Sequence, residues 1–175
     1  MPVYLRALEP EDYLSLFEWR NDFNITDLLG GNRFYVSKQR EKEWVEAAIK
    51  EDKNNLRLAI CLTENHCLIG LVNLTNIDHV NKKAEFSIII GDKNQQGKGY
   101  GLIATKLMLK HAYEELNLHK VWLSVLQTNN TAQHIYQKIG FTTDGILRQD
   151  VFKNNKYQDL IIMSLLKEEY ESMNK

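Results

Sequence analysis

Apolar and polar positions change their period several times along this chain, and each change marks an element. Residues 3–8 alternate, which predicts an opening strand. Pro10, suited to the first turn of a helix, then leads into a stripe of Tyr13, Leu14, Phe17 and Trp19. Residues 21–36 read as a connection, with Gly30-Gly31 in its middle and Phe23, Phe34 and Tyr35 along it. Ser37 is placed to cap a second helix whose Trp44, Val45, Ala48 and Ile49 recur at i, i+4 spacing. Three strand-like runs follow, Leu56–Leu62, 68–76 and Lys83–Ile90, and predict an antiparallel meander. Residues 102–116 return to helical spacing, with Ile103, Ala104, Leu107, Met108 and Tyr113 facing inward. Lys120–Leu126 is strand-like again, and 131–138 is a short helix closed by Gly140. Residues 146–152 and 157–165, joined by Lys153-Asn154-Asn155-Lys156, complete a hairpin. The order β-α-α-β-β-β-α-β-α-β-β predicts an α+β fold in one domain, residues 1–175, with no linker or repeat.

Composition narrows the class. At 175 residues, 43% apolar and 26% charged, the chain has the make-up of a soluble globular protein with one core. Twenty-two basic against 23 acidic residues leave a net charge of −1 and no footprint for nucleic acid. No apolar run approaches a membrane span, and Met1-Pro2-Val3-Tyr4-Leu5-Arg6 is not a signal peptide, so a cytoplasmic protein without a membrane partner is expected. Cys61 and Cys67 flank a turn at Glu64-Asn65-His66 and read as reduced core thiols rather than a disulfide or metal site. His79, His111, His119 and His134 have no ligand spacing, and no metal is expected.

The chemistry starts at Gln96-Gly97-Lys98-Gly99-Tyr100-Gly101, between a predicted strand and a predicted helix. The first turn of a helix carries N–H groups without acceptors and partial positive charge, and glycines let the backbone close on an anion. A phosphorylated ligand is the reading, against the alternative of a glycine turn that binds nothing. Lys98 is followed by Gly99 where a P-loop needs Ser or Thr, and Leu102 stands where a dinucleotide fingerprint needs its third glycine. Both nucleotide motifs are excluded.

The spacing that fits is Gln-x-x-Gly-x-Gly at Gln96, Gly99 and Gly101, which resembles the signature of the GNAT superfamily of acyl-CoA N-acyltransferases. A second family element follows in order as Asn129-Asn130-Thr131-Ala132-Gln133-His134-Ile135-Tyr136-Gln137-Lys138-Ile139-Gly140-Phe141. The resemblance covers essentially the whole chain. From about Asp78 onward it is closest to the branch of bacterial spermidine and ribosomal-protein N-terminal acetyltransferases. Ala84-Glu85-Phe86-Ser87-Ile88-Ile89-Ile90, Gly145-Ile146-Leu147-Arg148, Phe152 and Tyr157 carry that likeness.

This resemblance implies the GNAT fold: one central mixed, largely antiparallel sheet flanked by helices, with splayed middle strands. It implies acetyl-CoA as donor substrate and direct attack on the thioester by a primary amine, which is a protein N-terminus, a polyamine such as spermidine, or another small amine. Backbone groups of Gln96, Gly97, Lys98, Gly99, Tyr100 and Gly101 would hold the pyrophosphate. Those of Ile88, Ile89 and Ile90 would meet the pantetheine or thioester carbonyl, as an added strand does. Asn129 would contact the pantetheine arm, with a helix N-cap as its other role. Lys98 and Lys138 are candidates for phosphate contact, against ordinary solvated lysines. A homodimer is the family expectation. The rival class is a non-catalytic acyl-CoA-binding or regulatory module with the same fold.

Two side chains are candidates for proton transfer. Only about one alkylamine in a thousand is neutral at cytosolic pH, so a base is useful, and the leaving thiolate needs a proton. Tyr136 is the candidate general acid, with a core aromatic as the alternative. Glu85, a carboxylate in an apolar strand, is the candidate base, with a solvent-facing position, or a pair with Lys83 or a lysine on a neighbouring strand, as alternatives; the resemblance also allows a water chain as the base. The acceptor side falls, by resemblance, on residues 19–35 and 148–157. Its Asp22 and Asp27 are accompanied by Arg33, while Glu41, Glu43, Glu46 and Glu51 alternate with Lys38, Arg40, Lys42 and Lys50 as on a solvated face. No dense acidic cluster favours a polyamine over other amines.

Overall fold

The computed structural model describes residues 1–31, 34–50 and 52–173. Seven strands form one sheet: β1 (Val3–Ala7), β2 (Leu56–Leu62), β3 (Leu68–Asp78), β4 (Lys83–Ile90), β5 (Lys120–Leu126), β6 (Thr142–Lys153) and β7 (Lys156–Leu166). Their order is β1-β2-β3-β4-β5-β7-β6, antiparallel at every junction except the parallel pair β4–β5. The helices are α1 (Tyr13–Asn21), α2 (Phe23–Thr26), α3 (Lys38–Ile49), α4 (Tyr100–Lys110), α5 (Asn130–Ile139) and α6 (Lys167–Met173). The fold is the α+β sheet with splayed middle strands that the motifs imply.

Strand alternation explains the two layers. Ile60 and Leu62 of β2, Val72 and Leu74 of β3, and Ala84 and Phe86 of β4 pack on one face, with Met108 and Ala112 following α4. The intervening Ala59, Cys61 and Leu71 pack on the other, under Leu16 and Trp19 of α1 and Val45 of α3. Period-two strands under period-3.6 helices bury both faces of the sheet's centre.

Several expectations need correction. The connection 21–36 contains α2, which is only four residues long and is started by Asp22, whose side chain accepts the Asn24 N–H at 2.9 Å. A helix set by its cap leaves no apolar period to detect. The helix expected over 102–116 starts earlier, at Tyr100, and turns to π form at His111–Glu115, where the Leu116 N–H reaches the His111 carbonyl at 3.0 Å. The strand expected over 68–76 runs on to Asp78, and α6 was not anticipated. Leu14 and Ile49 face solvent rather than the core. Both cysteines are free thiols, but only Cys61 is buried; Cys67, on the turn, is exposed.

Glu41 departs furthest from expectation. It is 1% exposed, because α3 turns it to the same face as the buried Val45, four residues on. Arg20 of α1 pairs with it, Nε to Oε1 at 3.0 Å, and stacks on Trp44 at 4.5 Å. Burial pushes the Glu41 carboxyl above its usual range, and Arg20 offsets this only in part. Arg33 and Glu51 lie outside the described residues.

Candidate active site

The site opens where the sheet divides. β4 and β5 share three rungs, Lys83–Lys120, Ala84–Val121 and Glu85–Trp122. Beyond Glu85 the strands diverge, while β3 stays on β4 as far as Ile90 and β7 stays on β5 as far as Leu126. The backbone of residues 86–90 therefore has no strand on its β5 side. Between the diverging strands lies a cavity of about 580 Å³.

One half of this cavity leads to the glycine loop. Gly97 (φ +74°) and Gly99 (φ +82°) are left-handed, and nothing lies within 4 Å of where a Cβ would stand at either. Conformation, not crowding, demands glycine there. Gly101 is already helical, and a Cβ would meet only Ile90 Cγ1 at 3.7 Å; the glycine keeps that wall low. Gly99 caps α4, so the N–H groups of residues 100–102 have no intrahelical acceptor. Gln96, though exposed, ties the loop to the end of β4: its Nε2 donates to the Ile90 carbonyl at 2.8 Å. Lys98 is exposed and donates to Gln95 Oε1 at 3.0 Å, and Lys138 is exposed on α5. The loop fits a pyrophosphate: open backbone, no side chain over it, and a helix N-terminus behind it.

Tyr136 and Glu85 both line this cavity. The Tyr136 ring, 9% exposed, is boxed by Phe86 and Phe141 at centroid distances of 6.3 and 5.7 Å. Its hydroxyl makes no hydrogen bond among the described residues, and burial pushes the phenol up to about 12. Such a phenol stays protonated at neutral pH and is a ready donor. Glu85 alternates with buried Ala84 and Phe86, so it faces the cavity and is half-buried. Its partner is Asn76, whose Nδ2 donates to Oε2 at 3.0 Å, rather than Lys83. Asn129 is the N-cap expected of it, accepting the Ala132 N–H at 3.1 Å, and it also lines the cavity. Ile88, Ile89 and Ile90 line the cavity as well.

The other half is roofed by Thr26, Leu28, Leu29, Gly30 and Gly31 and walled by Trp19. A Cβ on Gly91 would stand 1.9 Å from Trp19 Cδ2, so only glycine lets this ring lie across the end of β4. Asp22 and Asp27 turn away into other bonds, Asp22 to Lys93 at 2.5 Å and Asp27 to Asn154. Sequence reasoning missed Asn76 and Gly91; a glycine directly after a buried strand was the one local signal between them.

Residues 3–142 match the family described as acetyltransferase (GNAT) domain. The spermidine N(1)-acetyltransferase of Escherichia coli K12 is 41% identical over 174 residues, 96% of this chain and 88% of that protein. The enzyme of the same name from Vibrio cholerae is 40% identical over 166 residues, 95% and 94% of the two chains. The putative ribosomal N-acetyltransferase YdaF of Bacillus subtilis is 36% identical over 59% of this chain and 56% of that protein. The Vibrio cholerae spermidine N-acetyltransferase solved with CoA and spermine superposes with a TM-score of 0.90 at 32% identity, covering 97% of this chain and 98% of that one. This chain belongs to the GNAT acetyltransferase family and is an acetyl-CoA-dependent N-acetyltransferase that moves an acetyl group to a primary amine.

Proposed function

We propose that the acceptor is a linear polyamine of the spermidine type and that Glu85 and Tyr136 serve the transfer from opposite sides. The observation that carries the acceptor is end-to-end similarity to two spermidine N(1)-acetyltransferases at 41% and 40% identity. The cavity accords with it. Its lining is largely apolar, suited to methylene segments, with Arg20 and Asn73 among its polar members, and Glu85 is the carboxylate among the described lining residues. The absence of an acidic cluster, which weighed against a polyamine, counts less in a channel that engages one terminal amine and packs the chain behind it.

In this scheme the donor's thioester supplies an activated acetyl group. The free edge of residues 88–90 holds its pantetheine arm, and Asn129 borders the same arm. N–H groups around Gly97, Gly99 and Gly101 hold its pyrophosphate, with Lys98 and Lys138 at the rim. Glu85 draws the ammonium group into the cavity and takes up its proton, directly or through water, leaving the nitrogen lone pair free. The nitrogen then bonds to the thioester carbonyl carbon and the C–S bond breaks; Tyr136 gives a hydrogen bond and then a proton to sulfur, and is reprotonated, directly or through water, by the proton that the acylated nitrogen gives up. The free thiol of exposed Cys67 accords with residence in the reducing cytoplasm. A homodimer remains the expectation for assembly, which sedimentation or light scattering reads directly.

Thiol release from acetyl-CoA across a panel of spermidine, spermine, an aminoglycoside and peptides starting with Ala or Ser tests the acceptor. Spermidine should give the highest kcat/KM. A peptide or aminosugar turned over with spermidine inert would refute the polyamine assignment and leave the enzyme class intact.

A further inference from the structure

The roof of the acceptor half is held from outside itself. Within residues 26–29 the backbone makes one turn of its own, Leu29 N–H to the Thr26 carbonyl at 3.2 Å. The Thr26 and Asp27 N–H groups are held by α2, bonding to the Asp22 and Phe23 carbonyls at 3.0 and 2.8 Å, and the remaining ties come from distant side chains. Lys153 donates to the Thr26 carbonyl at 2.8 Å and also to the Leu29 carbonyl. Beside it, Asn154 Nδ2 donates to Asp27 Oδ1 at 2.8 Å, and Asn129 Nδ2 donates to the Leu28 carbonyl at 3.1 Å. Four consecutive roof residues are thus each tied to an element that stands across the cavity: the tip of the β6–β7 hairpin, or the N-cap of the Tyr136 helix.

Lys153 is the unusual member. It is the last residue of β6, where a lysine at a hairpin turn ordinarily reaches into water, yet it is 4% exposed. A lysine is buried this far only when its ammonium is bonded, and here backbone carbonyls of the roof supply those bonds. Asn154, next in the chain, lies on the exposed side of the same contact.

We infer that Lys153 is a positioning residue for the acceptor amine, fixing the height of the 26–29 roof over the diverging strands and so the width of the channel. The inference rests on taking that half of the cavity as the acceptor half. With the ammonium in place the roof is ordered before the substrate arrives, so binding does not bear the ordering cost. A thin, unbranched amine fits under a fixed roof, and a broad one must lift it. The donor loop is untouched by this contact, so the effect belongs to one substrate only.

Lys153→Met keeps most of the apolar stem and removes the donor. The expected result is an amine KM raised about fivefold or more, with the acetyl-CoA KM and kcat near wild type, since ordering rather than chemistry is lost. Amide hydrogen exchange should quicken in residues 25–31 and stay unchanged in α4. Asn154→Ala, at the exposed tie, should fold normally and shift both readings the same way by a smaller factor. Unchanged exchange and unchanged amine KM in Lys153→Met would overturn the assignment. So would a uniform loss in both substrates' KM with a lowered melting temperature, the mark of a general fold residue. If Lys153→Met does not fold, Asn154→Ala decides in its place, and wild-type values there sink the idea. Exchange is read without any amine, so it separates failure of the clamp from failure of the polyamine assignment.

Discussion

Replacing Tyr136 by phenylalanine removes one oxygen from the lining of the cavity. The contacts that hold the ring, to Phe86 and Phe141, survive the change. In the free protein the hydroxyl bonds to no described residue, so stability should move by no more than roughly 0.5 kcal/mol. As the proposed general acid, the same hydroxyl would meet, during transfer, a sulfur that is becoming anionic. A hydrogen bond to a charged group contributes about 1.5–3 kcal/mol, which is a loss of roughly 10- to 150-fold in kcat. Neither KM should change appreciably, because the interaction is made in the transition state. Since burial pushes the phenol up to about 12, it is protonated across the working range, and the wild-type rate should show no falling limb from this group below that value. The assay is initial-rate thiol release with both substrates varied, alongside a melting curve for each protein. A Tyr136→Phe enzyme with normal melting and kcat within about threefold of wild type would falsify the general-acid role, because general-acid catalysis contributes well beyond that.

Glu85→Gln should lower kcat/KM for the amine by about tenfold or more while leaving the acetyl-CoA KM alone; equal values for both proteins exclude Glu85 as base and as ammonium anchor. Gly91→Ala drives a methyl group into the Trp19 ring, and overpacking of this kind costs about 1–3 kcal/mol, readable in chemical denaturation together with a higher amine KM. An unchanged denaturation midpoint would contradict the packing argument. For Glu41 the folded state raises the carboxyl above its usual 4.5, chiefly by burial. A raised group contributes stability fully below its unfolded value and loses it as pH rises through the folded one, so wild type should gain stability on acidification toward that window. Glu41→Gln should show a flatter melting profile over the same range and be no less stable at neutral pH; a clear loss of stability at neutral pH argues that the Arg20 pair outweighs burial.

How much of this was legible depended on how local the encoding was. β2 and β4 fall where their apolar, strand-forming runs put them, and in β4 the buried Ala84 and Phe86 alternate with the less buried Lys83, Glu85 and Ser87, so each residue type reports its side. The glycine loop and the Gly140 cap were equally readable, since a left-handed backbone needs the residue that tolerates it. α2 and α6 were not, because one is set by a single cap and the other carries acidic residues without an apolar stripe. Glu41 looked solvated in a run of alternating charges, and only the packing of α1 on α3 shows that Arg20 covers it. The acceptor roof was the least legible part. Its ties join residues 101 and 127 positions apart, and nothing near Leu28 or Thr26 announces Asn129 or Lys153.

The three rungs between β4 and β5 also make a fulcrum. Strand rise is about 3.3 Å per residue, so Ile90 sits roughly 17 Å beyond the last rung at Glu85. A small change in the angle between the two half-sheets is therefore magnified at the mouth of the cavity. Ala84 and Val121, both fully buried, pair as the middle rung of this pivot and do not line the cavity. Substitutions that thicken or thin this rung should retune, from outside the cavity lining, which amines are accepted, read as altered relative kcat/KM across the amine panel.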